Sequence, residues 1–144
     1  MTQEEKQLLL KDLCARLPYG VKVKINSKPR KVIGVYNEYV VVKGKTDGET
    51  SWDNYGIEEY NIKPYLRPLS SMTDEEEESL REDTGLDIFK CTVNKELEDL
   101  WATDCSVKDL FCLYSWLNEH HFDYNGLIEK GLALEAPEVM YEKI

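Results

Sequence analysis

The histidines are the first residues whose type and spacing suggest chemistry. His120 and His121 follow a predicted helix, and Cys112 lies on the same helix. A zinc site needs about four converging ligands, and adjacent histidines on a helix point in different directions. We therefore predict no metal site and no cofactor. One histidine is expected to pack on the core and the other to lie near the helix C-terminus.

Two further patterns could indicate nucleotide binding or catalysis. The tripeptide Gly44-Lys45-Thr46 resembles the end of a phosphate-binding loop, but Tyr39 occupies the position where that loop needs its first glycine. Ser115 and Glu119 lie four residues apart, a spacing that is common on exposed helix faces. A nucleophile also needs a base and a group that orients this base. We predict no catalytic residue and a non-enzymatic protein.

A basic, aromatic-rich segment is a candidate for binding. Residues 18–45 carry seven basic residues against Glu38 alone, whereas residues 46–144 carry eight basic and 24 acidic residues. Lysines interleaved with aromatic rings are typical of surfaces that bind single-stranded nucleic acid or an extended peptide. The alternative is a solvated sheet face with tyrosines that cap a thin core. The predicted binding residues are Lys22, Lys24, Lys31, Tyr36, Trp52 and Tyr55.

The N-terminal half is predicted to fold as a helix and a small sheet. Thr2 and Glu5 form a capping-box pattern, and leucines at helical spacing follow as far as Pro18. Alternation predicts a strand over 21–25, and two further strands are predicted over 31–36 and 39–43, with turns over 26–30 and at 37–38. The run from Val40 to Val42 does not alternate, so the strand over 39–43 is expected to be covered on both faces. Residues 44–56, including Trp52, are assigned to a loop. A fourth strand around 60–66 is expected to lie at an edge or end early, because of Pro64.

The C-terminal half is predicted to be helical. Thr73 begins a second capping box, which predicts a helix to about residue 83, and Asn94 begins a short helix. A third helix follows Ser106, and a last turn covers 125–130. On the third helix we expect these apolar residues to be buried: Leu110, Phe111, Leu113, Tyr114 and Leu117.

These elements predict an α+β fold. The expected architecture is an N-terminal helix and a small curled antiparallel sheet of about four strands, followed by a three- to four-helix cluster. We expect a single domain over residues 1–144, with possible halves 1–69 and 70–144.

Compartment and thiol state follow from the sequence ends and the cysteine spacing. Two acids stand near the N-terminus, and the longest apolar run there is Leu8–Leu10, too short for an export signal or a membrane span. We therefore expect a cytoplasmic protein with no membrane partner. No C-x-x-C spacing occurs, so the cysteines are predicted to be buried, reduced thiols: Cys14, Cys91, Cys105 and Cys112.

Two sequence strings resemble a known group of proteins. Residues 116–137 read WLNEHHFDYNGLIEKGLALEAP, and residues 62–73 read IKPYLRPLSSMT. The first resembles the C-terminus, and the second the middle segment, of small uncharacterised proteins of gut-bacterial phages and prophages. The resemblance implies an origin in mobile DNA and a bacterial cytoplasm. It implies no catalytic or binding residue.

Two functional hypotheses follow. In the first, the chain is an accessory protein of a phage or mobile element that binds an unidentified protein through its acidic helical half. In the second, the basic, tyrosine-rich sheet at 18–65 contacts nucleic acid, although we expect this affinity to be weak or absent. The position of the seven bases separates the two hypotheses. Their grouping on one exposed face beside Trp52 favours nucleic acid, and their scattering favours a protein partner.

Overall fold

The computed structural model describes residues 1–44, 51–84 and 107–141, which form two compact units. The first unit contains residues 1–66 and 125–135, and the second contains residues 67–124 and 136–144. The chain is α+β, as predicted, with three α-helices and a mixed sheet of seven strands among the described residues.

Helix α1 (Gln3–Arg16) opens the first unit. The Thr2 hydroxyl accepts a hydrogen bond from the Glu5 N–H, and the Glu5 carboxylate accepts one from the Thr2 N–H, so the predicted capping box is confirmed. Leu9 and Leu13 lie four residues apart and are completely buried against the sheet. The helix ends in a 3₁₀ turn closed by Gly20, whose φ of 74° suits glycine.

The strands of the first unit form an antiparallel sheet. In chain order they are β1 (Lys22–Ile25), β2 (Lys28–Tyr36), β3 (Tyr39–Lys43), β4 (Trp52–Gly56) and β5 (Lys63–Pro68). Their spatial order is β4-β3-β2-β1-β5. Two short strands pair with β5 in parallel: β6 (Phe122–Asp123) at residues 67–68, in the second unit, and β7 (Leu134–Glu135) at residues 65–66, in the first. The predicted four strands are therefore only part of the sheet.

Tight turns connect the first three strands. Asn26 and Ser27 form a two-residue turn with φ of 50° and 68°, so the first turn is shorter than the predicted segment 26–30 and β2 begins at Lys28. The predicted two-residue joint at Asn37 and Glu38 is confirmed, because Tyr36 pairs with the first residue of β3.

Two strand predictions need correction. Trp52 lies in β4 and not in a loop, because residues 52–56 pair in register with β3. Pro64 lies in a strand that has neighbours on both sides, but near its beginning, where only β1 pairs with it. A proline that lacks an N–H is tolerated at such a one-sided position.

A buried polar network fixes α1 to a later loop. The Arg16 guanidinium donates two hydrogen bonds to the Asp12 carboxylate, at 2.8 Å and 3.1 Å, and both side chains are almost completely buried. The Asn125 amide donates a third hydrogen bond to Asp12 at 3.0 Å. This network ties residues 125–135 to the first unit, over a sequence separation that local patterns do not indicate.

The second unit is built around α2 (Asp74–Thr84) and α3 (Val107–Glu119). Its core contains Leu80, Leu113, Trp116, Leu117 and Phe122. Leu113 and Leu117 are buried as predicted, and Leu110 and Tyr114 are partly buried. Phe111 contradicts the prediction because 72% of it is exposed.

A buried ion pair joins β5 to α2 within this unit. The Arg67 guanidinium donates hydrogen bonds to both carboxylate oxygens of Glu76, at 2.7 Å and 2.6 Å. Glu76 also accepts the Thr73 N–H, while its own N–H donates to the Thr73 hydroxyl, so the second predicted capping box is confirmed. Arg67 in turn lies 4.2 Å above the centre of the Phe122 ring.

Three predictions fall partly or wholly outside this description. Cys14 is exposed and Cys112 is half-buried, which contradicts the expectation that they are buried thiols. Cys91 and Cys105 lie outside the described residues, as do the predicted helix at Asn94 and the cap at Ser106.

Residues 126–131 form a single turn closed by Gly131, with one helical hydrogen bond, from the Lys130 N–H to the Gly126 carbonyl.

Candidate binding face

Strand register places five lysines on one face of the first unit's sheet. Lys22 pairs with Lys31 between β1 and β2, and Lys24 pairs with Lys63 between β1 and β5. Residues that pair across a sheet project to the same side. Val32 pairs with Val42 on the buried side of the sheet. Lys31 and Lys43 are the next residues along β2 and β3, so they lie opposite each other on the lysine side. We call this surface the lysine face: Lys22, Lys24, Lys31, Lys43 and Lys63.

Alternation explains why the lysines are presented outward. Val23, Val32 and Val42 are buried on the opposite side of the sheet, where α1 covers them. A strand whose side chains alternate must then expose the intervening lysines. Lys24, Lys31 and Lys43 are exposed, while Lys22 and Lys63 are half-buried.

Exposed aromatic rings border the lysine face. Trp52 pairs with Lys43 across β3 and β4, and 64% of Trp52 is exposed. Tyr36 and Tyr39 pair at the hairpin end of the same face, with exposures of 67% and 45%. Exposed rings of this size are uncommon on a solvated sheet face, where polar side chains normally alternate with the buried ones.

Every charged side chain that the strands place on this face is basic. Strands β1 to β5 contain one acidic residue, Asp53, which pairs with Val42 and therefore lies on the covered side. The aliphatic chain of Lys31 lies along Gly20, with its Cε 3.2 Å from the position a Cβ there would occupy. A side chain at position 20 would therefore meet the aliphatic part of Lys31.

An acidic pocket lies beyond the aromatic end of the face. It is an open pocket of about 430 Å³ lined by Glu38, Tyr39, Gly56, Ile57, Glu58 and Glu59. Lys6 binds Glu58 at 2.7 Å and Glu38 at 3.2 Å. These two hydrogen bonds hold the pKa of Lys6 above its usual range, and the bond from Lys6 lowers the pKa of Glu58.

The structure brings together five of the six predicted binding residues. Lys22, Lys24, Lys31, Tyr36 and Trp52 share the lysine face. Tyr55 does not, because it pairs with Val40 on the covered side and packs edge-on against Tyr60, with ring centres 4.9 Å apart.

Two members of the face were missed from the sequence. Lys43 lies in a strand that was expected to be covered on both faces, because Val40 to Val42 do not alternate. That expectation is wrong, since Val40 and Val42 are buried on one side while Lys43 is exposed on the other. Lys63 carried no local signal, because it reaches the face only through the long-range pairing of β5 with β1. Of the remaining bases, Lys28 and Arg30 pair with residues on the covered side, and Lys45 lies outside the described residues.

The histidines pack against aromatic rings. His120 contacts Trp116 with ring centres 4.1 Å apart, and His121 stacks on Tyr141 at 3.8 Å. Burial lowers the pKa of His120 and so favours its neutral form, although Glu119 acts in the opposite direction. Within residues 1–44, 51–84 and 107–141, no three histidine, cysteine or carboxylate side chains are arranged to hold a metal ion.

Comparison of the chain with protein-family models, curated proteins and solved structures gives no match in any of the three. In the described part of the chain, every helix is too short or too polar to cross a lipid bilayer.

Proposed function

We propose that this protein binds single-stranded nucleic acid through the lysine face. The observation that carries the proposal is the grouping of Lys22, Lys31 and Lys43 at one level of the sheet, beside Trp52. Neighbouring strands lie about 4.8 Å apart, so the three ammonium groups form a short row. Such a row suits the phosphates of an extended backbone.

The accompanying aromatic residue favours a single strand over a duplex. Tyr36 lies on the same face as the lysines and exposes 67% of its surface. In a single strand the bases are free to stack on an aromatic ring, whereas in a duplex they are already stacked on each other. A sheet face with a basic row and an exposed ring therefore matches the single-stranded form.

The net charge of −10 does not exclude this function. At an ionic strength of 0.15 M the screening length is about 8 Å, so distant carboxylates act only weakly at the face. Two acids that flank the strands of the face, Glu38 and Glu58, are paired with Lys6.

This proposal reverses the order that the sequence suggested. Protein binding through the acidic helical half remains a prediction, and an accessory role in a phage or mobile element remains a hypothesis. Four of the six described bases in residues 18–45 lie on one face and extend to Trp52, which is the arrangement that favours nucleic acid.

The test compares two charge-matched triple variants. Lys22, Lys24 and Lys31 are replaced with Glu in one variant, and the exposed Lys11, Lys108 and Lys130 in the other. Both variants change the net charge equally, so any difference between them reports the position of the charges. Affinity is measured by fluorescence anisotropy with a labelled single-stranded oligonucleotide at low salt.

We expect saturable binding by the wild type and a loss of at least about tenfold in affinity for the first variant alone. Unlabelled duplex should compete less well than unlabelled single strand. Equal losses in the two variants, or no saturable binding by the wild type, would contradict the proposal.

A further inference from the structure

The outer edge of β4 has a defined hydrogen-bonding pattern. The Gly44 N–H donates to the Ser51 carbonyl, and the Ile57 N–H donates to the Glu38 carbonyl. Because bonded and non-bonded pairs alternate in an antiparallel ladder, residues 51, 53, 55 and 57 direct their backbone groups toward β3. Trp52, Asn54 and Gly56 therefore direct theirs outward. Among the described residues, no strand pairs with this side of β4.

These outward groups are self-complementary in a register centred on Asn54. If two copies of β4 pair antiparallel with Asn54 opposite Asn54, Trp52 of each copy lies opposite Gly56 of the other. The Gly56 carbonyl already accepts the Tyr60 N–H at 3.0 Å. The remaining donors and acceptors form about four hydrogen bonds between the chains. The register with Asn54 opposite Gly56 forms only about two such bonds. The register with Trp52 opposite Asn54 also forms about four, so side chains and charge decide between it and the Asn54–Asn54 register.

Side chains fit the same register. Gly56 offers no side chain, and the surface at its Cβ position is flanked by the Tyr39 ring and the Glu59 carboxylate, at 3.6 Å and 3.4 Å. The acidic pocket opens at this point. The exposed Trp52 indole of a second copy would enter it, with its N–H directed at carboxylates.

Charge is also complementary across this edge. The lysine end of one copy, beginning at Lys43 beside Trp52, would lie next to the acidic pocket of the other copy. The acid on the strand itself, Asp53, would oppose Tyr55 of the second copy on the covered side, so no two carboxylates of the strands face each other. Opposite charges across an edge favour association, and like charges oppose it.

We propose that the protein forms a two-fold symmetric dimer by antiparallel pairing of β4 with β4 of a second copy, with Trp52 of each copy in the acidic pocket of the other. The interface is isologous, because the same strand serves both sides. It joins the two sheets into one and places both lysine faces on the same side, since paired residues share a face. Trp52 then belongs to the dimer contact, and Tyr36 stays exposed.

The sharpest test removes one backbone donor. Asn54→Pro deletes an N–H that points away from β3 and so leaves the pairing of β4 with β3 intact. Asn54→Ala is the matched control, because it removes the same side chain but keeps the N–H. In sedimentation equilibrium over a wide range of concentration, we expect the wild type and N54A to approach twice the chain mass of 16.8 kDa and N54P to remain at that mass.

A second measurement fixes the register without destabilising the strand. Paired Cα atoms would lie about 5.5 Å apart at position 54. This separation is within the roughly 4.4–6.8 Å range of disulfides. Under mild oxidation Asn54→Cys should give a disulfide-linked dimer on a non-reducing gel, well above the background of the wild type with its native cysteines. A wild type with the mass of one chain at every concentration, a dimeric N54P, or an N54C variant that links no more than the wild type would overturn the proposal.

Discussion

Glu76 shows how one side chain can serve local and long-range structure together. It completes the capping box with Thr73 and also pairs with Arg67 through two hydrogen bonds, while its side chain is completely buried. Burial alone would raise the pKa of this carboxyl. The hydrogen bonds from Arg67 and from the Thr73 N–H lower it by more, so the pKa of Glu76 lies below its usual 4.5.

Replacing Glu76 with Gln should strongly destabilise the protein. The amide keeps the size of the side chain but leaves the buried Arg67 charge without its partner, which costs about 3–5 kcal/mol. Glu75→Gln is the control because Glu75 is exposed on the same helical turn, and it should change stability by no more than about 0.5 kcal/mol. Chemical denaturation at neutral pH measures both.

The pH dependence of the Glu76 effect has a definite sign. A carboxyl whose folded-state pKa is lowered contributes stability above its unfolded-state pKa, and this contribution is lost as pH falls through the folded-state value. The stability difference between wild type and E76Q should therefore be full at neutral pH and shrink below about pH 4.5. A difference that is constant down to pH 2, or equal melting of E76Q and E75Q, would contradict the role of the ion pair.

Helix α3 separates what a periodic pattern can predict from what it cannot. The pattern placed Leu113 and Leu117 correctly in the core, because they lie four residues apart on one face. It also assigned Phe111 to that face, although most of the ring is exposed. An apolar stripe wider than the contact surface leaves residues at its border outside the core.

Two alanine variants on α3 should therefore behave differently. Leu113→Ala removes a completely buried side chain and should cost about 2–5 kcal/mol. Phe111→Ala removes a larger side chain from an exposed position and should change stability by no more than about 0.5 kcal/mol. Thermal or denaturant melts compare the two, and a larger effect at Phe111 would show that the ring is covered in solution.

The sheet shows the same division between local and long-range information. Alternation predicted the strand over 21–25, and strands were also predicted over 31–36 and 39–43; together they carry the lysines of the predicted site. The strand at Trp52 was missed because it is only five residues long, too short for an alternating pattern to stand out. What makes it a strand is its pairing with β3, and a single sequence does not show that pairing. Lys63 and Arg67 acquire their roles only through distant partners, so a single sequence gave no signal for either.

Across the molecule, charge is segregated and not simply negative. The net charge of −10 is the sum of −16 over residues 46–144 and +6 over residues 18–45, with no net charge over residues 1–17. Among the strands of the lysine face the one acid is Asp53, on the covered side. Association with a polyanion would thus depend on a small number of cations acting at short range. That number can be measured independently of affinity, because each phosphate contact releases a counterion.

The salt dependence of oligonucleotide binding should report about four phosphate contacts. If Lys22, Lys24, Lys31 and Lys43 each neutralise one phosphate, the logarithm of the binding constant should fall against the logarithm of salt concentration with a slope of about −2.8. Lys43→Gln should reduce the magnitude of this slope by about 0.7, because one contact is lost. Lys11→Gln removes an exposed cation from α1, outside the face, and should leave the slope unchanged. A slope near zero, or equal changes for the two variants, would show that the lysine face does not contact the backbone of the nucleic acid.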